Sequence, residues 1–222
     1  MTPFKDIVAE AEKRLGQPEL TKRLPKVKSS DQLEAVTDDR YLSLMCLRIF
    51  RAGLKHSMVD AKWPAFEEVF SGFEPRRVRM MSDEELEACL GNKRLIRHWG
   101  KLKSVRENAI AMVELIASRN GGFGSYLANW PGDRIVELWF DIAGRFSQMG
   151  GNSGPYFLRM AGKDTFMLTP FVVKALHEWG TYSGSAKGKG EQRKIQGVIN
   201  EWAAESGLPL AHISMILAQT VD

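Results

Sequence analysis

The sequence is poor in cysteine, with only Cys46 and Cys89 among its 222 residues. Both lie within apolar helical patterns, and two cysteines are too few for a disulfide scaffold, so the composition fits a reducing cytoplasm. Long apolar runs are also absent, which excludes a helix that crosses a bilayer. The first residues lack the apolar core of a signal peptide. We therefore expect a cytoplasmic protein with no membrane partner.

A large excess of one charge is missing as well. Lysine and arginine total 31 and acidic residues total 27, which gives a formal net charge of +4 and an isoelectric point near 9.1. Such mild basicity permits a polyanionic partner but does not require one, because a solvated basic face has the same effect.

Segments with the two-residue alternation of β-strands are absent, whereas apolar residues recur at three- and four-residue spacing almost throughout. The sequence therefore predicts an all-α fold. Ser82 and Glu85 form a capping-box pattern at the start of one helix. Helices are predicted over residues 4–15, 38–52, 83–90, 95–117, 133–148, 191–206 and 210–218, with further helices that start near Pro64 and at Thr169-Pro170.

Two segments are predicted to be connections. Residues 20–30 are basic and interrupted by proline; they could contact phosphates, but a simple linker is the prediction. Residues 181–190 are rich in glycine, serine and lysine, which predicts a mobile basic surface loop. We expect a single unit over residues 1–222, divided into an N-terminal helix and linker (1–36), a lobe (37–130), a hairpin region (131–180), the loop (181–190) and C-terminal helices (191–222).

A glycine-rich corner separates two of the predicted helices. Gly150, Gly151 and Gly154 flank residues 152–153, so the backbone can adopt positive φ and approach another molecule closely. Pro155 suits the first turn of the following helix. Free backbone N–H groups at such a corner form a small anion site; the alternative is a tight helix connection without a ligand.

This order of helix, glycine hairpin and helix, with a further helix opened by Thr169-Pro170, resembles the helix-hairpin-helix DNA glycosylase superfamily. The resemblance implies a two-lobe all-α fold in which the hairpin holds the DNA backbone. It also implies an aspartate shortly after the hairpin that assists base excision. Thr169 stands at the matching position of this sequence.

A more specific resemblance covers residues 45–109. The stretch MCLRIFRAGLKHSMVDAKWPAFEEVFSGFEP, followed by IRHWGKLKSVRENA, is similar to the 3-methyladenine DNA glycosylase I family. The resemblance implies an enzyme that binds duplex DNA, turns a base out of the stack and hydrolyses its N-glycosidic bond. The shared features are Cys46-Leu47, the break at 52–54, the end of the next helix at 73–75, the run Ile96-Arg97-His98 with Gly100-Lys101, and Asn108-Ala109.

The same resemblance assigns the DNA contacts. Gly53 and Leu54 match the position of a small apolar wedge that enters the duplex; an ordinary core leucine after a helix break is the alternative. The hairpin amides of Gly151, Ser153 and Gly154 are expected to bind a phosphate.

Several basic residues could add to these contacts. Lys163 and Lys174 are candidates for binding the DNA backbone, although solvated surface lysines have the same pattern. Arg97 and His98 could contact DNA or brace the junction before the long helix, and bracing is the prediction.

Two positions depart from the family pattern. The family has a glutamate directly after the Cys-Leu pair, which helps to recognise the methylated base, and a tryptophan two residues after Ala-Gly-Leu, which stacks on it. This sequence has Arg48 and His56 there. A guanidinium in a partly dry pocket disfavours a cationic base, whereas His56 can stack on a base or be an ordinary exposed histidine. Arg48, Phe50 and His56 are predicted to line the base pocket.

The candidates for catalysis are Asp60 and His56. They share a helical face if the helix begins early enough, and the pair could then orient a water or stabilise an oxocarbenium-like sugar. Ordinary surface polarity is the alternative. Asp38 and Asp39 are further candidate acids, although their position before an apolar run also fits helix N-caps.

Metal ligands are scarce in the sequence. Many family members join their termini through zinc held by two cysteines and two histidines, but His212 stands alone near the C-terminus and neither end has a cysteine. We expect no metal, no cofactor, and a monomer that binds duplex DNA.

The sequence thus predicts a base-excision repair glycosylase for an alkylated or otherwise damaged purine of the 3-methyladenine type. One alternative is a DNA-binding or lesion-sensing protein of the same fold whose active site has decayed. The other is a helical protein–protein module that does not use DNA.

Overall fold

The computed structural model describes residues 2–222, and within this range the chain is helical and contains no strand, as predicted. Short 3₁₀ turns lie at Ser71–Phe73 and Gly132–Arg134. The described residues form fourteen α-helices, α1 to α14: Phe4–Leu15, Gln17–Arg23, Ser30–Glu34, Asp38–Arg51, His56–Val69, Pro75–Val78, Asp83–Gly91, Trp99–Ala117, Phe123–Ala128, Ile135–Arg145, Ser153–Ala161, Pro170–Glu178, Lys189–Ser206 and Leu210–Ala218. Among these residues, no helix is both long and apolar enough to cross a membrane.

Local sequence signals set several of the boundaries. Helices α1 and α14 have the predicted bounds, and α7 begins with the predicted capping box, in which the Ser82 hydroxyl and the Glu85 carboxylate each accept a backbone N–H. Helix α12 begins after Thr169, whose hydroxyl accepts the Val172 N–H at 3.2 Å. The capping residues therefore predicted the starts of α7 and α12 correctly, because a cap binds the N–H groups of the first turn that have no partner within the helix.

Two predictions about local structure were wrong. Helix α5 starts at His56, well before Pro64, and keeps Pro64 in its interior at the loss of one backbone hydrogen bond. The predicted linker is also partly helical, because Pro18 lies in the first turn of α2 and Leu20 is buried. Only residues 24–29 connect α2 to α3.

One compact unit combines residues up to Lys28 with residues 130–139 and 162–222. In its core the fully buried Trp202 lies 5.5 Å from the Phe4 ring, and its indole N–H donates to the Thr2 carbonyl at 3.0 Å. Trp139 lies 4.6 Å from the Phe166 ring. The two ends of the chain therefore share one core. The sequence analysis divided the chain into consecutive segments and did not predict this pairing.

A second compact unit consists of residues 29–129 and 140–161. Its core contains a series of aromatic rings from α4, α5 and the 3₁₀ turn that follows. Trp63 stacks between Phe66 and Phe73 at 4.9 and 5.3 Å, and Phe50 meets Phe66 edge-on at 4.6 Å. This apolar cluster holds α4 against α5.

Two glycines of the second unit provide a matched test of its packing. A Cβ on Gly124 would lie 2.5 Å from the Leu33 carbonyl oxygen, whereas nothing lies within 4 Å of a Cβ on Gly144. We expect Gly124→Ala to lower the free energy of unfolding by about 1–3 kcal/mol, because α3 must move away. Gly144→Ala should raise it by up to about 1 kcal/mol, because alanine favours helix. Urea denaturation followed by circular dichroism measures both, and equal midpoints would contradict the packing described.

Candidate nucleic-acid interface

The turn between α4 and α5 carries the two predicted wedge residues. Gly53 is exposed with φ of +75°, and a Cβ at this position would meet nothing within 4 Å. Leu54 is half-buried, and its N–H donates to the Arg51 carbonyl at 3.2 Å. The turn is therefore tight and open to solvent at its tip. Insertion of Leu54 into DNA remains a prediction.

Lys101 holds this turn from the first turn of α8. Its side chain is only 8% exposed, and its ammonium donates to the carbonyl of Ala52 at 2.6 Å and to that of Phe50 at 3.3 Å. These carbonyls lie at the end of α4, where no further helical N–H can reach them. Burial lowers the pKa of Lys101, and the positive charge of Arg48 lowers it further.

His98 is the N-cap residue of α8, three residues before Lys101. Its Nδ1 accepts the Lys101 backbone N–H at 3.3 Å, so the side chain satisfies an N–H group of the first turn. The structure thus gives His98 the bracing role that we predicted, whereas Arg97 is exposed beside it.

Arg48 lies on α4, one helical turn before the break. Its guanidinium carbon is 4.6 Å from the centroid of the Tyr156 ring of α11, and its Nε is buried without a hydrogen-bond partner. Burial lowers the pKa of Arg48, and Tyr156 opposes that effect. Since arginine stays protonated at neutral pH, the site holds a fixed positive charge.

The other predicted pocket residues lie in different surroundings. Phe50 is fully buried against Phe66, so its ring belongs to the aromatic core and its position does not favour direct contact with a base. His56 is exposed at the first residue of α5. Of the three residues, Arg48 alone combines partial burial with an unsatisfied polar atom.

Asp60 is paired with Arg51. Helix α5 begins at His56, so the spacing of His56 and Asp60 puts them on one face as required. The Asp60 carboxylate nevertheless accepts two hydrogen bonds from the Arg51 guanidinium, both at 2.8 Å. This ion pair occupies the carboxylate, and the catalytic roles of Asp60 and His56 remain predictions.

The alternative acids Asp38 and Asp39 serve other contacts. Thr37 is the N-cap residue of α4, so the two aspartates occupy its first turn and not the cap itself. Asp38 accepts the Phe123 N–H at 2.7 Å, and Asp39 binds Arg40 at 2.8 Å. Both line a cavity of about 310 Å³ with α6 and α8 residues, and none of the predicted site residues lines it. We therefore place the candidate site at Arg48 and not at this cavity.

The glycine hairpin joins α10 to α11. Gly151 is exposed with φ of +58°, as a tight corner requires. The N–H of Ser153 donates to the Gly150 carbonyl at 3.1 Å, and the N–H of Gly154 donates to the Met149 carbonyl at 3.2 Å. Two of the three amides predicted to bind phosphate are therefore used within the hairpin, which leaves Gly151 as the most accessible of the set. Phosphate binding remains a prediction.

Asn108 attaches the hairpin to α8. Its buried amide donates to the Ser147 carbonyl at 3.1 Å and accepts the Ser147 N–H at 2.7 Å. Ser147 lies just before the hairpin, so this paired contact fixes the entry of the chain into it.

The two lysines predicted to bind DNA have partners within the other unit. Lys163 is 7% exposed and donates to the Trp130 carbonyl at 2.7 Å, and burial lowers its pKa. Lys174 donates to the Asp222 carbonyl at 3.0 Å and lies 3.6 Å from Glu178. The burial of Lys163 does not favour a role at a DNA surface, whereas the more exposed Lys174 keeps that prediction open.

Sequence reasoning gave no role to Lys101, Asn108 or Tyr156. A signal for the first two was present: they fall on the buried face of α8 together with Val105 and Met112, at spacings of three and four residues. Buried polar groups require hydrogen-bond partners, so the sequence pattern indicated that Lys101 and Asn108 each make a structural hydrogen bond. Tyr156 gave no such signal, because its contact with Arg48 depends on the packing of α11 against α4.

Within residues 2–222, no group of three or more histidine, cysteine or acidic side chains is arranged to hold a metal ion. His212 Nε2 lies 3.0 Å from the Pro25 carbonyl oxygen. This histidine is thus used in a contact within the protein.

Lys101 and Lys103 of α8 allow a buried lysine that holds the turn to be compared with a lysine at the surface. We expect Lys101→Met to lower the free energy of unfolding by about 1–3 kcal/mol, because the carbonyls of Phe50 and Ala52 lose their donor. The control is Lys103→Met, since exposed Lys103 makes a surface pair with Glu107 at 3.5 Å. Its effect should stay below about 0.5 kcal/mol. Urea denaturation measures both, and equal losses would refute the role given to Lys101.

Comparison with solved structures supports the fold. A variant of 3-methyladenine DNA glycosylase I in complex with 3-methyladenine is 23% identical, with a TM-score of 0.51 over 60% of this chain and 82% of that one. The 8-oxoguanine glycosylase/lyase of Methanocaldococcus jannaschii, solved with a 15mer DNA containing 8-oxoguanine, is 12% identical, with a TM-score of 0.53 over 96% of this chain and 93% of that one. This chain therefore has the helical fold of DNA glycosylases.

Two sequence relatives each match about a third of the chain. The DNA-3-methyladenine glycosylase of Haemophilus influenzae is 34% identical over 71 residues, which are 32% of this chain and 38% of that protein. DNA-3-methyladenine glycosylase 1 of Escherichia coli K12 is 31% identical over 80 residues, 36% and 43% of the two chains. The matches thus span about two fifths of these relatives. The model of the methyladenine glycosylase family matches residues 33–144, half of the sequence, and the chain belongs to that family.

Proposed function

We propose that this protein is a DNA base-excision repair glycosylase that hydrolyses the N-glycosidic bond of an alkylated or otherwise damaged purine. The observation that carries the proposal is the attachment of two candidate DNA-contacting elements to one face of α8. Lys101 binds the turn with Gly53 and Leu54, and Asn108 binds the entry to the hairpin. The two positions are seven residues apart and so about 10 Å apart along the helix.

This spacing suits a single stretch of DNA. One strand of a duplex rises about 3.4 Å per nucleotide, so a distance of about 10 Å corresponds to about three nucleotides. An apolar side chain at the turn can fill the space of an extruded base, and a glycine hairpin can approach a nearby phosphate. Because hydrogen bonds from the buried residues Lys101 and Asn108 hold both elements, these elements need little reordering when DNA binds.

Family membership supports the same chemistry. The relatives from H. influenzae and E. coli are named for 3-methyladenine, a damaged purine. In the reaction the bond between the base nitrogen and C1′ breaks, a water oxygen bonds to C1′, and the water proton passes to the base or to solvent. The protein supplies binding and extrusion, and Asp60 or His56 remains the candidate for orienting the water.

Composition supports a proposal for the site of action. A chain with only two cysteines, both buried, suits a reducing cytoplasm. We propose that the protein acts there on duplex DNA as a monomer.

A second candidate function is a DNA-binding or lesion-sensing protein without catalysis. Two observations favour it. Thr169, at the position where the superfamily has an aspartate, caps α12 with its hydroxyl. Asp60 is held in an ion pair with Arg51. Both candidate functions require salt-sensitive binding to duplex DNA, and only the first releases a base.

Incubation with methylated duplex DNA, followed by chromatography of released bases, tests the proposal. We expect base release by the wild type and a loss of about tenfold or more in Leu54→Ala, equivalent to about 1.4 kcal/mol of barrier. The matched control is Met80→Ala, because Met80 is 72% exposed in the same unit and has no part in the site.

The remaining outcomes distinguish the alternatives. Tight, salt-sensitive binding of duplex DNA without release of a base from any damaged duplex would favour the non-catalytic protein. Absence of both binding and release would overturn both DNA functions and favour a protein–protein module.

A further inference from the structure

We propose that Arg48 makes this site select an uncharged 6-oxopurine, such as hypoxanthine, over a cationic alkylated adenine. The proposal rests on the proposed glycosylase function and specifies the substrate class of the same site. It depends on the surroundings of one guanidinium and on the charges nearest to it.

The Arg48 guanidinium has unused hydrogen-bonding capacity. Its Nε is buried and has no hydrogen-bond partner, and within residues 2–222 the Arg48 side chain is paired with no carboxylate. A guanidinium is a planar group with five N–H donors and no acceptor, so a ligand that satisfies it must bring acceptor atoms.

The guanidinium of Arg48 lies over the ring of Tyr156. The guanidinium carbon lies 4.6 Å from the ring centroid, a distance at which a cation is attracted to the aromatic face. Tyr156 itself is 38% exposed, so the arrangement reaches the surface. We regard Tyr156 as a positioning residue, because it restricts the directions in which Arg48 can donate.

The neighbouring charges do not neutralise Arg48. Arg51 is paired with Asp60 at 2.7 Å, and the Lys101 ammonium donates to the two backbone carbonyls at the end of α4. Three cationic side chains therefore lie around the end of α4, and one carboxylate is committed to Arg51. These positive charges repel a cationic base, whereas they attract the hydrogen-bond acceptors of a neutral base.

The location of Arg48 suits contact with an extruded base. Its carbonyl accepts the Ala52 N–H at 3.2 Å, so Arg48 lies one helical turn before Gly53 and Leu54. A base displaced by Leu54 would leave the duplex beside this turn. The two acceptors of a 6-oxopurine on one edge, O6 and N7, match the fork of an arginine, which is the pairing that arginine uses to read guanine in duplex DNA.

The test compares duplexes of one sequence that contain either a single hypoxanthine or 3-methyladenine. Single-turnover excision by the wild type should be at least about tenfold faster for hypoxanthine. Arg48→Gln should remove most of that preference, and Arg48→Glu should reverse it, because a carboxylate attracts the cationic base. The control is Arg94→Gln, which removes a surface partner of Glu68 in the same unit and should leave the preference unchanged.

Free-base binding provides a readout that does not depend on catalysis. We expect free hypoxanthine to quench the tryptophan fluorescence of the wild type at lower concentration than 3-methyladenine does, and Arg48→Gln to weaken hypoxanthine binding about tenfold. Arg48→Lys preserves the charge without the planar fork, so it should bind hypoxanthine less tightly than the wild type. Circular dichroism confirms that each variant is folded.

Three results would overturn this inference. A wild type that releases 3-methyladenine preferentially, with no effect of Arg48→Gln, would refute the selectivity and leave the proposed function intact. Equal weakening of all duplexes by Arg48→Gln, with a salt dependence reduced by about one phosphate, would make Arg48 a backbone contact. Failure to bind either free base would exclude a base pocket at Arg48, whereas absence of excision with hypoxanthine binding retained would contradict only the proposed catalysis.

Discussion

The buried ammonium of Lys101 is the interaction on which the candidate site depends. By donating to the carbonyls of Phe50 and Ala52, it ends α4 at a defined residue and sets where α5 can begin. The stacked aromatic rings beneath add apolar contact area but little direction, whereas hydrogen bonds to two specific carbonyls fix a geometry. Gly53 can then hold its positive φ at an open tip, and Arg48 is held one turn away.

Charge is what separates this site from the pattern that its sequence resembles. The position at which the resemblance implies a carboxylate has Arg48 in this chain, and within residues 2–222 no carboxylate is paired with it. The Asp60 carboxylate, on the neighbouring helix α5, binds Arg51. A change of one residue from negative to positive in a partly buried position alters which ligands are attracted, because electrostatic interactions strengthen as water is excluded. The fold can thus be retained while the substrate class changes.

The reliability of sequence reasoning differed between kinds of feature. Capping residues located the starts of α7 and α12, because their effect is confined to one helical turn. Proline was a weaker guide: Pro64 suggested a helix start, yet the burial of the flanking apolar side chains keeps it inside α5. The candidate pair His56 and Asp60 had the correct helical spacing, but spacing cannot show that Arg51 lies closer to the carboxylate than the histidine does. Helical spacing shows which side chains share a face, but it does not show which other side chains bind to them.

The sequence by itself determined the all-α class, the break at Gly53, the glycine hairpin and the family, because these depend on residue types within short stretches. The tertiary structure decided which groups are in contact. The Arg48 guanidinium lies over the Tyr156 ring, Asn108 is hydrogen-bonded to Ser147, and Lys101 donates to carbonyls at the end of α4. The tertiary structure also decided that Phe50 belongs to the core and that Lys163 is buried. The physical reason is that burial and hydrogen bonding between distant segments depend on how helices pack, and helical periodicity leaves that packing open.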